Sequence, residues 1–160
     1  MIDTFKHLQI IVDGLEEYLK SECPSCNIRM QNTTEEIPKF PYVAYNITTL
    51  SNENKGTYGE YEDGMLRKPH IQTWSITANS DDRWEAIELS NKAHEWLDNI
   101  GTTYLNDNNV IVQSVGSITD RSNLLTVDYM YSYGFDCFFW LYDETENPIK
   151  NIGYIEKVEY

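Results

Sequence analysis

The sequence predicts an α+β fold, in which a mixed, mostly antiparallel β-sheet is flanked by two amphipathic helices. One long stretch, 127–143, places apolar or aromatic residues at every second position, as a strand with one buried face does. Two other stretches, 3–21 and 81–100, repeat apolar residues at three- and four-residue spacing, which is typical of helices with one buried face. The chain has 160 residues, which predicts one domain spanning 1–160 with a single core.

The long predicted strand changes character along its length. Its odd positions from Val127 to Leu141 are apolar or aromatic, whereas its even positions begin polar, with Asp128, Ser132 and Asp136, and then turn aromatic at Phe138, Trp140 and Tyr142. We expect a bend or bulge near Gly134, because a residue without a side chain permits one. We also expect the second half of the strand to be covered on both faces, by the chain's own helices or by another subunit.

Both predicted helices have sequence signals at their ends. The first, over 3–21, ends before Pro24, which cannot continue a helix. In the second, Asn79 or Ser80 is predicted as the N-cap, since short polar side chains accept hydrogen bonds from the first helical amides. Gly101 is predicted to end this helix in a left-handed conformation.

Shorter strands are predicted at 27–30, 41–47, 70–78 and 110–116. The segment 51–69 has three glycines and no consistent period, which predicts a long loop or a hairpin. Its residues Tyr58 and Tyr61 either dock on a partner or lie half-buried in a solvated hairpin. At the C-terminus, apolar residues that include Tyr154 predict a short strand or an extended arm at 148–160.

The net charge of −14, from 26 acidic and 12 basic side chains, limits the classes of function. Sequence-specific nucleic-acid binding is not expected, because phosphate contacts need clusters of Lys and Arg. The N-terminal MIDTFKHLQI lacks the features of a signal peptide, and no stretch approaches the roughly 18 apolar residues of a membrane span. We therefore expect a protein that is synthesised in the cytosol and does not enter a membrane.

The clearest candidate for thiol chemistry is the sequence Cys23-Pro24-Ser25-Cys26. A thiolate is activated at a helix N-terminus, but this pair follows a helix and precedes a predicted strand. We interpret it as a helix-to-strand turn with incidental thiols. Structural zinc needs four ligands, and one cysteine pair with three scattered histidines (His7, His70 and His94) does not supply them. The sequence predicts no metal and no cofactor.

No catalytic motif stands out elsewhere in the chain. Asp81, Asp82 and Asp136 resemble metal carboxylates in type, but they fit helix N-terminal and strand-surface positions better. His94 lies one turn before the predicted end of the second helix, where a histidine interacts favourably with the helix dipole. We expect a protein that is not an enzyme.

Several segments together resemble one protein family. These are a proline-flanked strand start at 41–43, the strand 75–78 leading into Asp82-Arg83, the sequence 133–136 with the aromatic run after it, and the ending 155–158. In this combination the chain resembles the neck or tail terminator proteins of long-tailed bacteriophages and of related contractile, phage-tail-like particles. The resemblance covers most of the chain in order.

The resemblance implies a structural virion protein with a tail-terminator-like domain. Such subunits form a homohexameric ring at the head-proximal end of the tail tube, which ends tube growth and joins the tail to the head connector or collar. The implied partners are further copies of the chain, the tail tube protein, the head connector and, in a contractile tail, the sheath. The implied location is the virion or particle, after assembly in the bacterial host cytoplasm.

The implied ring gives roles to particular parts of the sequence. The loop at 51–69 and the C-terminal arm are expected to cross the subunit boundary, and the aromatic side of the long strand is a further expected contact. The predicted interface residues are therefore Tyr58, Tyr61, Trp140, Tyr142 and Tyr154. An acidic lining of the ring is expected to let DNA pass without adhering. Two alternative functions stay open, namely an acidic DNA mimic that inhibits a nuclease and a thiol redox protein that uses Cys23 and Cys26.

Overall fold

A computed structural model describes residues 4–31, 38–52, 60–62, 65–122 and 130–146 of the chain. The helices are α1 (Thr4–Glu22), α2 (Arg83–Glu95) and α3 (Thr102–Asp107), and a π-helical turn (Trp96–Ile100) joins α2 to α3. The strands are β1 (Asn27–Met30), β2 (Tyr42–Asn52), β3 (Glu60–Glu62), β4 (Met65–Ser80), β5 (Val110–Val115), β6 (Thr119–Asp120) and β7 (Tyr131–Glu146).

The described strands form one sheet, whose main order is β1-β2-β4-β7-β5. Strand β1 pairs in parallel with β2, and the other pairings between the described strands are antiparallel. The short strand β3 pairs with β4, next to the segment that pairs with β2. The short strand β6 pairs with β7, next to the segment that pairs with β5. The predicted α+β fold with a mixed, mostly antiparallel sheet is confirmed.

The core lies between one face of this sheet and the helices. Each described helix, and the π-helical turn, contributes to one cluster of buried apolar residues that includes Ile11, Leu15, Leu89, Leu97 and Leu105. From the sheet, this cluster receives alternate residues of β4 and β7 together with residues of β2 and β5, as the period of two requires. The described helices therefore form a layer on one face of the sheet.

The strand β7 differs from its prediction in two ways. It runs from Tyr131 to Glu146, and residues 127–129 of the predicted strand lie outside the described residues. The expected bulge near Gly134 is wrong, because the register between β4 and β7 is continuous there and pairs Gly134 with Thr77. The irregularity lies instead in β5, between Val112 and Ser114.

Gly134 has a packing role rather than a bending role. A Cβ at this position would lie 2.5 Å from the carbonyl oxygen of Ile76, 2.7 Å from Oγ1 of Thr77 and 3.0 Å from a guanidinium nitrogen of Arg121. The missing side chain makes room for the arginine above the sheet.

The N-terminal end of α2 is also different from the prediction. Asp82, rather than Asn79 or Ser80, is the N-cap, and its carboxylate accepts a hydrogen bond from the Trp84 amide at 3.1 Å. Strand β4 extends to Ser80, which shifts the start of the helix. The Ser80 hydroxyl still supports the turn, because it accepts from the Asp82 amide at 3.1 Å and donates to the Glu85 carboxylate at 2.7 Å.

The predicted helix end at Gly101 is confirmed, since this glycine is the C-cap of the π-helical turn that follows α2, but its predicted left-handed conformation is wrong. This glycine has φ −88°, which is not the expected left-handed conformation, and the chain continues through it into α3. A Cβ at Gly101 would overlap the indole of Trp96, so a glycine is needed there for the close approach of the ring. The short helix α3 was not predicted.

The segment predicted as a long loop or hairpin, 51–69, is described only in part. The strand β2 reaches Asn52, β3 pairs with the start of β4, and residues 53–59 and 63–64 lie outside the described residues. The predicted C-terminal strand or arm at 148–160 also lies outside them.

Candidate interaction surface

The face of the sheet opposite the helices carries two rows of side chains that meet across β4 and β7. The register pairs Ser75 with Asp136, Thr73 with Phe138 and Ile71 with Trp140. Directly paired residues in an antiparallel sheet point to the same face. Along these rows the surface changes from polar, at Asp136, to apolar, at Trp140.

The apolar end of this face is centred on Trp140. Its indole lies on the middle strand of three, because Trp140 pairs with Ile71 on β4 and with Ile111 on β5. Trp140 is 37% exposed, while Phe138, Ile71 and Ile111 are half-buried. We call Ile71, Ile111, Phe138 and Trp140 the Trp140 patch. Large aromatic residues that are left partly exposed in this way are typical of protein–protein contacts.

The polar end of the same face is fixed by Arg121, which follows β6. Its guanidinium donates to the hydroxyls of Ser75 at 2.6 Å and Thr77 at 3.1 Å, and it forms an ion pair with Asp136 at 3.2 Å. Three strands are thereby held together by one side chain. No pattern in the sequence had singled out this arginine.

The five predicted interface residues have different positions in the structure. Trp140 is in the patch, and Tyr142 lies two residues further along β7, where it pairs with Pro69. Tyr61 is in β3 and pairs with Leu66. Tyr58 and Tyr154 lie outside the described residues. The structure therefore brings Trp140 and Tyr142 onto one strand, and their role as an interface stays a prediction.

Two of the cysteines, Cys26 and Cys137, are buried in environments that disfavour the thiolate. The 23–26 segment forms a turn, in which the Cys26 amide donates to the Cys23 carbonyl at 3.0 Å, and Cys26 then leads directly into β1. Burial raises the pKa of the Cys26 thiol to about 12, and burial also raises the pKa of Cys137. A raised pKa lowers the thiolate fraction at neutral pH, which is the opposite of what thiol redox chemistry needs.

The other candidate chemical groups make structural contacts. A ring nitrogen of His94 lies 3.0 Å from the carbonyl oxygen of Gly116, and its ring packs edge-on against Phe135. Asp82 caps α2, and Asp136 pairs with Arg121. Within the described residues, no group of three or more His, Cys, Asp or Glu side chains is placed to hold a metal ion. No described helix is long and apolar enough to cross a membrane.

The layered fold and the exposed aromatic patch indicate the general class of the protein. A two-layer domain with a helical layer on one face of its sheet and an aromatic patch on the other is suited to assembly with further protein subunits. The sequence profile of the phage neck terminator proteins matches residues 9–160, and the chain belongs to this family. It is a structural protein of the phage neck and is located in the virion tail.

One solved structure is similar to this chain with 14% sequence identity, covering 88% of this chain and 97% of its own, at a TM-score of 0.34. No curated protein sequence matches the chain.

Proposed function

We propose that this protein assembles into a homohexameric ring at the head-proximal end of the tail tube. The ring ends the growth of the tube and joins the tail to the head connector or collar. The observation that carries the proposal is the match to the neck terminator family over nearly the whole chain. The protein acts by binding, without catalysis, and it requires no cofactor.

The Trp140 patch supports the closure of a ring. A ring needs a heterologous interface, in which one surface of a subunit meets a different surface of its neighbour. The patch is apolar and spans β4, β7 and β5, and the neighbouring network of Arg121 keeps β4, β6 and β7 in a fixed relative position. A rigid apolar surface binds with little loss of conformational freedom. We assign this face to the contact between subunits.

Other predicted interface residues belong to the same proposal. Tyr142 follows the patch on β7, and Tyr61 lies on β3 next to the first residues of β4. Tyr58 and Tyr154, with the arm at 148–160, extend the contact to the neighbouring subunit. The partners of the ring are the tail tube protein, the head connector and, where the tail contracts, the sheath. Assembly takes place in the host cytoplasm.

The acidic side chains that give the chain its net charge of −14 line the bore of the proposed ring. An acidic lining repels DNA phosphates, so the genome passes through the neck without adhering. This proposal fails if the assembled ring has its acidic residues on the outer rim and basic residues in the bore.

The function is tested by deleting the gene from the phage and imaging the products by negative-stain electron microscopy. We expect tails of uneven or excessive length, and tails without heads. Tails of normal length joined to heads would refute the proposal.

The assignment of the subunit interface is tested by complementing the deletion with Trp140→Glu. A charge within an apolar interface is strongly unfavourable, so this variant is expected not to restore normal tails. The matched control is Trp84→Glu, because Trp84 is more exposed (74%) and lies on α2 rather than on the sheet. Restoration by both variants, or failure of both, would remove the assignment of this face.

A further inference from the structure

A second surface lies on the helical side of the domain, away from the Trp140 patch. It is a groove between α1, the π-helical turn and α3, with a volume of about 330 Å³. Its lining is mainly aromatic and apolar, with Tyr18, Trp96, Ile100 and Tyr104. This volume is at the lower end of the range for binding pockets, about 300–1,000 Å³. The groove is open to solvent rather than enclosed, which suits a protein segment better than a small molecule.

The groove depends on two glycines that come from different elements. A Cβ at Gly14 would lie 2.9 Å from the Trp96 indole and would overlap the Tyr104 ring, and a Cβ at Gly101 would overlap the same indole. The two glycines therefore leave the space that the Trp96 indole occupies in the lining of the groove. The Tyr104 hydroxyl donates to the Ile10 carbonyl at 3.0 Å, which joins α3 to α1 across the groove.

The wall formed by Ile100 and Tyr104 is exposed to solvent. Ile100 is 49% exposed and is the last residue of the π-helical turn, and Tyr104 is 41% exposed and lies on α3. Widened helical turns of this kind occur frequently at functional sites. The fold thus leaves about half of the surface of an apolar and of an aromatic side chain exposed at this groove.

The rim of the groove is negatively charged. Glu17 belongs to the lining, and Asp13 lies close enough to act on the Tyr104 hydroxyl. Burial, and then Asp13 and Glu17, raise the pKa of Tyr104. On the other side, burial and then Glu22 and Glu95 raise the pKa of Tyr18, with Lys92 acting in the opposite direction. Acidic side chains, Asp13 and Glu17, therefore lie beside the apolar lining of the groove.

We propose that this groove docks a segment of a different protein, in which one bulky apolar side chain is flanked by Lys or Arg. The apolar side chain fills the space above Trp96, and its basic neighbours pair with Asp13 and Glu17. A second copy of this chain is a poor occupant, because a protein with 26 acidic and 12 basic side chains is repelled by an acidic rim. The inference rests on the proposed function, since a subunit that joins two parts of a particle needs a binding surface besides its ring contact.

The first test uses a photo-crosslinking amino acid at position 100, in complete particles purified from infected cells. We expect a covalent adduct between this chain and a different polypeptide, and mass spectrometry should map it to a segment with an apolar residue next to Lys or Arg. The same crosslinker at Leu50, which is 58% exposed on β2, is the control for non-specific capture. An adduct to another copy of this chain, an adduct to an acidic segment, or no adduct specific to position 100 would overturn the proposal.

The second test introduces a charge of either sign at position 100. The readout is the yield of complete particles per infected cell. Ile100→Lys places a positive charge against a basic segment, and we expect a yield at least about tenfold lower, because like charges repel across the contact. Ile100→Asp removes the same apolar side chain but is expected to lower the yield less. Leu50→Lys should leave the yield unchanged.

The outcomes of these tests separate the two proposals. Equal losses for Ile100→Lys and Ile100→Asp, or no loss for either, would overturn the docking groove. The proposed function would survive that result if gene deletion still gives uneven or headless tails. Normal tails after gene deletion would instead remove the proposed function itself.

Discussion

A buried hydrogen bond between two side chains of β4 gives the sharpest test of the core. The indole N–H of Trp74 donates to the side-chain carbonyl of Gln72 at 2.7 Å, and both residues are fully buried. The Gln72 amide donates in turn to the carbonyl of Leu50 at 3.1 Å.

We predict that Gln72→Leu destabilises the fold because it leaves the Trp74 N–H buried without an acceptor. An orphaned buried donor costs about 1–3 kcal/mol. For a chain of this length, each kcal/mol lowers the melting temperature by about 2–4 °C, which gives a decrease of about 2–12 °C. The change is measured by urea and thermal unfolding of the purified chain, followed by tryptophan fluorescence and circular dichroism.

The control is the same substitution in a Trp74→Phe background. Phenylalanine has no N–H to leave unsatisfied, and replacing both partners by apolar groups is nearly neutral for the hydrogen bond. Gln72→Leu should therefore cost much less in that background, and the double-mutant cycle should give a coupling energy of about 1–3 kcal/mol. An equal cost in both backgrounds would refute this explanation of the buried glutamine.

Three further predictions concern packing, the sheet face and pH. Gly101→Ala should destabilise by about 1–3 kcal/mol in urea unfolding, because its methyl group overlaps the Trp96 indole. Arg121→Met should cost about 1–3 kcal/mol through its lost hydrogen bonds, whereas Lys20→Met, which removes an exposed ion pair, should cost under about 1 kcal/mol. The raised pKa of Cys26 gives stability that is fully present below pH 9 and is lost as pH rises toward about 12, so Cys26→Ala should flatten this decline.

Much of the fold could be predicted because its signals are local. The alternation of β7 and the apolar stripe of α1 depend on residues close in sequence, and both elements are present. The π-helical turn and α3 could not be predicted in the same way, since Gly101 in sequence indicates a helix end. Its actual role depends on the Trp96 ring packing against it. The bulge expected at Gly134 failed for a similar reason, because this glycine makes room for Arg121.

The candidate surfaces could likewise be predicted only where their residues are close in sequence. Trp140 could be proposed from sequence, because it is one of three aromatic residues, with Phe138 and Tyr142, at even positions of an alternating strand. The groove above Trp96 could not, since Gly14 and Tyr104 come together only when α1 packs beside α3. Arg121 was likewise missed, because its partners Ser75 and Asp136 lie on two other strands.

The central claim is that copies of this protein form a ring at the end of the tail tube nearest the head. The most direct measurement is a cryo-electron microscopy reconstruction of the neck of the intact particle. We predict a closed ring of six copies on the tube end, with Trp140 buried between neighbouring subunits. Copies located elsewhere in the particle, or a ring in which Trp140 faces solvent, would contradict the account.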